Sequence, residues 1–483
     1  MSSLNNLYTL ELENKNENSY EIFDTFEYSL YFKNIILYKK NEEYILFYTK
    51  KNNTITFANT PFKFWWDVDD AEVRGILKDI LGPRALISLK KFKGIEEIYN
   101  IYDANKKIFS KLSIYEISDF NIQVLYVHRI KGYKKETKEI NKKLKEILNL
   151  DNIKARNLPE HLFSALNLKI TRYSNKIDIQ VERDEKAYLA ISKILKKLLS
   201  IIRINLFGIS NQIDSEFLHD FRVSLRRTRT ALNQLKEIFK DEEIAIFKDE
   251  FAGVMKKTNY LRDLDVQFLT LIELKYELSG DLNDGLTLIL DYLGSKINKE
   301  YNKLGRFLQT KKFNTLLEKW SKFLDDPSGS VQEYGYKPIG EIASFYISKA
   351  LKKVDRRYRI AVIDFNPVNM HKLRIACKKL RYVLEFFNPI YREDIYSDAI
   401  SALKKLQDSL GLYQDVQVQS NMIYEILKDL GQPEGKSSVY LVAGYIIRLL
   451  DEKKKESSTN FLDHYDNFYT LIDSKKFKKV INY

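Results

Sequence analysis

"HDFRVSLRRTRTAL", residues 219–232, sets four arginines and one histidine among fourteen positions, with Asp220 as the single acid. Like charge at that density repels itself, so the stretch needs a reason. A second stretch, "HKLRIACKKLRYVL" (371–384), carries the same register. His219 aligns with His371, and 371 − 219 = 152. The same offset takes Arg222 to Arg374, Arg226 to Lys378, Arg227 to Lys379 and Arg229 to Arg381. Apolar residues recur at helical spacing within both copies, so each reads as an amphipathic helix.

On a helical wheel His219, Arg222, Arg226 and Arg229 fall within an arc of about 80° and run about 15 Å along the axis. Leu218, Phe221, Leu225 and Leu232 form an apolar stripe beside them that packs inward. Arg227 points over the other shoulder. The second copy puts His371, Arg374, Lys378 and Arg381 on the stripe and Lys379 off it. A solvated face mixes signs at i, i+4 spacing. Here no Asp or Glu occurs from Phe221 to Lys236 or from Phe365 to Leu384. Arginine, whose planar fork grips phosphate oxygens in pairs, is used despite a chain-wide bias to lysine. A linear anion with charge on every unit fits such a row.

The repeat extends outward. "ISKILKK" (191–197) returns as "ISKALKK" (347–353), and "LRDLDV" (261–266) returns loosely as "YQDVQV" (413–418). From about residue 185 the period stays near 3.6, with short breaks between roughly ten helices. Two copies of one multi-helix unit, about 185–325 and 336–478, are expected. Upstream, to about residue 135, short runs such as "NIILYKK", "EYILFYTK" and "KIFSKLSIYEI" read as strands. One helix, roughly 69–81, interrupts them. The class is therefore α+β: an antiparallel, barrel-like β domain (1–135), a helical connector and linker (136–184), and an all-α domain (185–478).

The bulk numbers agree with a globular chain. Its 483 residues allow more than one core. A formal net charge of +13 favours an anionic partner. Cys377 is the single cysteine, which excludes an intrachain disulfide and a cysteine-based zinc site. The first residues lack a secretory pattern, and the apolar run 439–447 is too short to span a bilayer. A soluble, cytoplasmic protein without membrane contact is expected.

His219-Asp220 could form half of a metal-dependent phosphohydrolase site. Its second copy, His371-Lys372, puts a repelling cation where a ligand should be, so a histidine that donates hydrogen bonds or caps its helix is preferred. Asp263 and Asp265 read as a clamp on the arginine helix. Together "LHDFRVSLRRTRTAL", "LRDLDV", "MHKLRIACKKLRYVLEF" and "LKKLQDSLGLYQDVQV" resemble the CHAD domain, the conserved histidine α-helical domain. The resemblance covers about residues 185–475. It implies two pseudosymmetric helical bundles and a basic groove or pore that binds inorganic polyphosphate without catalysis or cofactor. The implied ligands are His219, Arg222, Arg226, Arg227, Arg229, His371, Arg374, Lys378, Lys379 and Arg381, with Lys193, Lys197, Lys349 and Lys353 beside them. Polyphosphate granules would be the corresponding cellular site.

The N-terminal third resembles a degenerate CYTH domain, the triphosphate tunnel fold. "ELENK" matches its E-x-E-x-K pattern at Glu11, Glu13 and Lys15, and alternation puts all three on one strand face. In a tunnel Glu11 and Glu13 would be weak candidates for a divalent metal. The basic pair expected later reads Tyr38 and Lys40. A structural role is preferred there, with a metal-dependent triphosphatase or polyphosphatase as the enzymatic rival. Trp65 and Trp66 read as packing. A nucleic-acid binder is the third reading, disfavoured because only net charge supports it.

Overall fold

The computed structural model describes residues 8–50, 53–57, 60–103, 105–117, 120, 122–148, 157–234, 237–364, 366–391, 393–431, 437–459 and 461–482. The linker residues 149–156 lie outside them. The chain divides into two compact units, Met1–Tyr173 and Ser174–Tyr483.

The first unit is built on one antiparallel sheet of seven strands. They are β1 (Thr9–Asp24), β2 (Ile35–Lys40), β3 (Glu43–Tyr48), β4 (Asn53–Phe57), β5 (Ile87–Tyr102), β6 (Ile108–Ile117) and β7 (Ile122–Arg129). Their order in the sheet is β4-β3-β2-β1-β5-β6-β7. Helix α1 (Ser29–Phe32) precedes β2, and α2 (Ala71–Leu81) fills the gap between β4 and β5. The side chain of Asp70 caps α2 by accepting from the Val73 amide. Val73, Leu77 and Leu81 of α2 pack with Leu30, Leu37, Leu46 and Trp65 into one core, with Trp66 against its edge. A second core lies under α3 (Lys134–Leu148), whose Ile140 and Leu144 sit on Phe109 and Leu112. Phe163 of α4 (Leu158–Ala165) packs with Ile22 in a third.

Two strands are longer than the apolar runs suggest. "ALISLKKF" and "EIYNIYD" merge into β5 through Gly94, where a Cβ would meet a Tyr20 ring carbon at 3.1 Å and the Glu116 carbonyl at 3.2 Å. The polar tract "NKNENSY" has weak strand propensity but lies inside β1, because β5 pairs with β1 from Thr9 to Asp24. Salt bridges across that pair, Lys15–Glu97 at 2.8 Å, Glu17–Lys93 at 3.1 Å and Glu21–Lys91 at 3.3 Å, tie the polar residues together.

The second unit contains eleven α-helices among the described residues. They are α5 (Ala187–Ser210), α6 (Ser215–Gln234), α7 (Asp241–Leu274), α8 (Gly280–Leu308), α9 (Lys311–Asp325), α10 (Ile339–Ile363), α11 (Pro367–Phe387), α12 (Asp394–Leu430), α13 (Ser437–Thr459), α14 (Phe461–Asp473) and α15 (Lys475–Ile481). The repeat is written into these bounds. Helix starts are separated by 339 − 187 = 152, 367 − 215 = 152 and 394 − 241 = 153 residues. Helix α5 packs on α6, and α10 packs on α11. The caps obey the same offset. Asp214 accepts from the amides of Glu216 and Phe217 ahead of α6, and Asn366 accepts from the Asn369 amide at the start of α11. The predicted inward stripe, Leu218, Phe221, Leu225 and Leu232, is buried. No described helix is long and apolar enough to cross a membrane.

Helix α8 packs tightly on α13, and Gly285 makes that possible. A Cβ there would lie 2.2 Å from the Ser438 carbonyl oxygen, an atom that cannot swing aside. Gly285→Ala is therefore expected to destabilise the helical unit by about 2–3 kcal/mol, the usual cost of overpacking. A melting curve unchanged from wild type would show that the two helices part at no cost.

Candidate functional site

The basic residues of α6 and α11 do not simply face water. Arg226 lies 5.0 Å from the Tyr382 ring centroid and Arg381 lies 5.5 Å from it. One ring from the second repeat thus serves a guanidinium from each repeat. Glu385 joins the same helices. One of its oxygens accepts from Arg227 Nε at 3.1 Å, and the other is 3.5 Å from Arg381 Nε. Arg227 also donates through Nη1 to the Asn175 carbonyl at 3.1 Å.

Beside this junction is a cleft of about 720 Å³. Its lining comes from α6, α10 and α11, with Glu237 just beyond α6. Arg226, Arg229, Lys349, Lys353 and Lys379 supply five cations, and Glu237 is the one acid among the lining residues. Thr230, Asn233, Tyr346 and Tyr382 add polar and aromatic surface. Both repeats contribute.

The electrostatics record crowding of like charge. Burial is the largest cause lowering the Arg226 pKa, and the neighbouring Arg381 and Arg227 lower it further against Tyr382 and Glu385. Lys379 is the largest cause depressing Lys353, followed by burial, Arg357 and Arg356. The buried Nε atoms of Arg226 and Arg229 have no hydrogen-bond partner among the described residues. A buried donor in that state favours an incoming acceptor.

The remaining expected ligands lie outside the cleft lining. Arg222, drawn down to about 10 by burial and then by Arg226, donates to Asn259 Oδ1 at 3.0 Å and to the Thr258 hydroxyl. His219 is half-buried and His371 is exposed, both on the second turn of their helices, so neither is a cap. Arg374 is buried and Lys378 half-buried. Lys193 pairs with Glu185 at 2.7 Å, and Lys197 with Asp178 at 2.8 Å. Lys379, placed off the stripe by the wheel, lines the cleft instead of Lys378. The reason is that α10 packs against one shoulder of α11, and that shoulder carries Ala376, Lys379 and Tyr382.

The acidic candidates are already engaged. Asp220 is buried and accepts from Asn175 Nδ2 at 2.6 Å. Asp263 and Asp265 act electrostatically on Arg222, whose hydrogen bonds go to neutral partners. Asp265, raised to about 7 by burial, accepts from Tyr301 at 3.0 Å. The side chains of Tyr413, Gln414 and Asp415 in the second copy lie outside the described residues. In the first unit Tyr102 donates to Glu11 at 2.6 Å, Lys111 donates to Glu13 at 2.6 Å, and Lys15 pairs with Glu97. Lys40 pairs with Glu96 at 2.6 Å, and burial raises the Tyr38 phenol to about 12. Among the described residues no three of His, Cys, Asp and Glu gather as metal ligands.

Six contributors escaped sequence reasoning: Thr230, Asn233, Tyr382, Glu385, Tyr346 and Glu237. Tyr382 and Glu385 stand within or just past the second basic stretch, four and seven residues beyond Lys378. Their spacing marks them as neighbours on α11, but only the packing of α6 on α11 makes them a junction.

The profile of the CHAD domain matches residues 193–423. The CHAD domain crystal structure from the plant Ricinus communis superposes with a TM-score of 0.50 at 19% identity, covering 62% of this chain and 96% of that one. PptA from Streptomyces chartreusis gives a TM-score of 0.42 at 11% identity, over 59% of this chain and 100% of that one. No curated protein matches the chain. The seven-stranded sheet of the first unit fits a CYTH-like tunnel domain. Residues 193–423 of this chain therefore match a CHAD domain.

Proposed function

We propose that the helical unit binds inorganic polyphosphate, as a module without catalysis of its own, in the cleft between α6, α10 and α11. One observation carries the reading: five cations from both repeats converge on a single concave surface against one acid. Neighbouring phosphates in a chain are covalently joined, so one ligand can satisfy cations that repel one another when the cleft is empty. Arginine forks suit the paired oxygens, and the lysines supply point charges. The match of residues 193–423 to the CHAD domain adds polyphosphate as the named polyanion. The lysine pairs with Glu185 and Asp178 argue that Lys193 and Lys197 serve the fold.

The test is a titration of the whole protein with long-chain polyphosphate, with RNA and with ATP, each with and without Mg²⁺. Polyphosphate is expected to bind most tightly, with an affinity that falls steeply as salt rises because several contacts release counterions together. RNA matching polyphosphate at equal salt would overturn the assignment.

A further inference from the structure

The acid-free stretch of the second repeat ends at Glu385, and the equivalent position in the first repeat, 385 − 152 = 233, is Asn233. At this position the second repeat carries a negative charge that the first lacks. Asn233 lines the cleft. Glu385 instead sits between Arg227 and Arg381, one carboxylate oxygen toward each. It is half-buried, as are both arginines, with side-chain exposures of 20%, 15% and 17%.

We propose that Glu385 is a built-in counter-ion of the anion site, occupying Arg381 until a phosphate group displaces it. The inference rests on the polyphosphate reading. Two details assign the roles. Arg227 is held twice, by Glu385 and by the Asn175 carbonyl, so it stays in place as a structural brace. Arg381 is held by Glu385 at the longer separation of 3.5 Å, and it shares the Tyr382 ring with the cleft residue Arg226. Arg381 is thus the cation adjacent to the cleft whose partner is easiest to exchange. A carboxylate and a phosphate present similar oxygen pairs to a guanidinium, and the buried Arg381 Nε has no hydrogen-bond partner among the described residues, so a phosphate oxygen can take the carboxylate's place without breaking a hydrogen bond there. The counter-ion relieves repulsion among Arg226, Arg227 and Arg381 in the empty protein, and it weakens anion binding by competing for Arg381. The site is thereby tuned for release as well as capture.

Glu385→Gln removes the competing charge and keeps the shape. Glu385→Asn installs the residue of the first repeat and guards against a poorly folded glutamine variant. Both are expected to raise affinity for long-chain polyphosphate by roughly 5- to 10-fold, the scale of one partly buried charge-assisted contact. Both are also expected to lower the melting temperature of the empty protein, and to enlarge its rise on ligand addition. A purely structural ion pair predicts the opposite, equal or weaker binding in both variants, and that result overturns the proposal. If the wild type itself fails to bind polyphosphate, the functional reading falls and this inference with it. If the wild type binds and the variants do not bind more tightly, only the counter-ion role falls.

Discussion

Charge reversal of Arg226 and Arg229 to glutamate lowers affinity for long-chain polyphosphate by about a hundredfold or more, as the loss of two charge-assisted contacts and the gain of two repulsions require. These two residues are one helical turn apart on α6, and both present buried Nε donors beside the cleft. Among the described residues neither forms an ion pair with a carboxylate that the reversal would break, so the effect falls on the ligand. The apolar seam of α6 is untouched, and the fold is expected to survive with loss of the Arg226 contact to Tyr382. Reversal of the exposed Lys475 and Lys476 on α15 is the control, with a change of less than about twofold once the long-range field is screened by salt. The slope of affinity against salt should also flatten by about two phosphate contacts in the cleft variant. Isothermal titration at two salt concentrations reads both quantities. A loss equal to that of the control would return the row to a solvated basic face.

Much of this arrangement is legible in the residues. The 152-residue offset, read from histidines and arginines, reappears in helix starts and N-caps, because a duplicated unit repeats its punctuation along with its packing. The buried seam of α6 is legible for the same reason: burial follows the 3.6-residue period. The cleft is less legible. A helical wheel describes one helix, whereas which shoulder becomes lining depends on the neighbour packed against it. For this reason Lys379 lines the cleft, and Lys193 and Lys197, which precede Lys349 and Lys353 by 349 − 193 = 156 residues and so sit about one turn out of the 152-residue register, are spent on local carboxylates. The sign of a charge also hides its use. Arg227 and Arg222 carry the same motif as Arg226, yet one braces two helices and the other bonds to Thr258 and Asn259. In the first unit the E-x-E-x-K pattern marks a strand but not one face: a bulge between Leu12 and Asn14 breaks the alternation, so Glu11, opposite Asn100, and Lys15, opposite Glu97, fall on different faces, and each charge meets a cross-strand partner that short-range reading cannot see.

The second repeat should show the cost of the cationic cleft from the other side, through opposite changes in stability and binding. Lys353 and Lys379 face each other closely enough that Lys379 is the main cause of the lowered Lys353 pKa. For a lysine so depressed, the folded state sheds its proton at a pH where the unfolded chain still holds it. The unfolded state then binds more protons, and stability rises with pH in the window just below the ordinary lysine value. Lys379→Glu replaces repulsion by attraction. The variant is expected to melt about 1–2 °C higher than wild type at neutral pH and low salt, and to lose the alkaline rise in stability attributable to Lys353. Its affinity for long-chain polyphosphate should fall by at least about tenfold, since a contact becomes a repulsion within the cleft. Combining it with Arg226→Glu closes a double-mutant cycle across the two repeats. One shared ligand makes the combined loss smaller than the sum of the separate losses, because a chain already repelled from one wall makes little use of the other. Losses that add in full would mean that α6 and α11 hold separate anions, and a variant that both melts lower and binds normally would remove Lys379 from the site altogether.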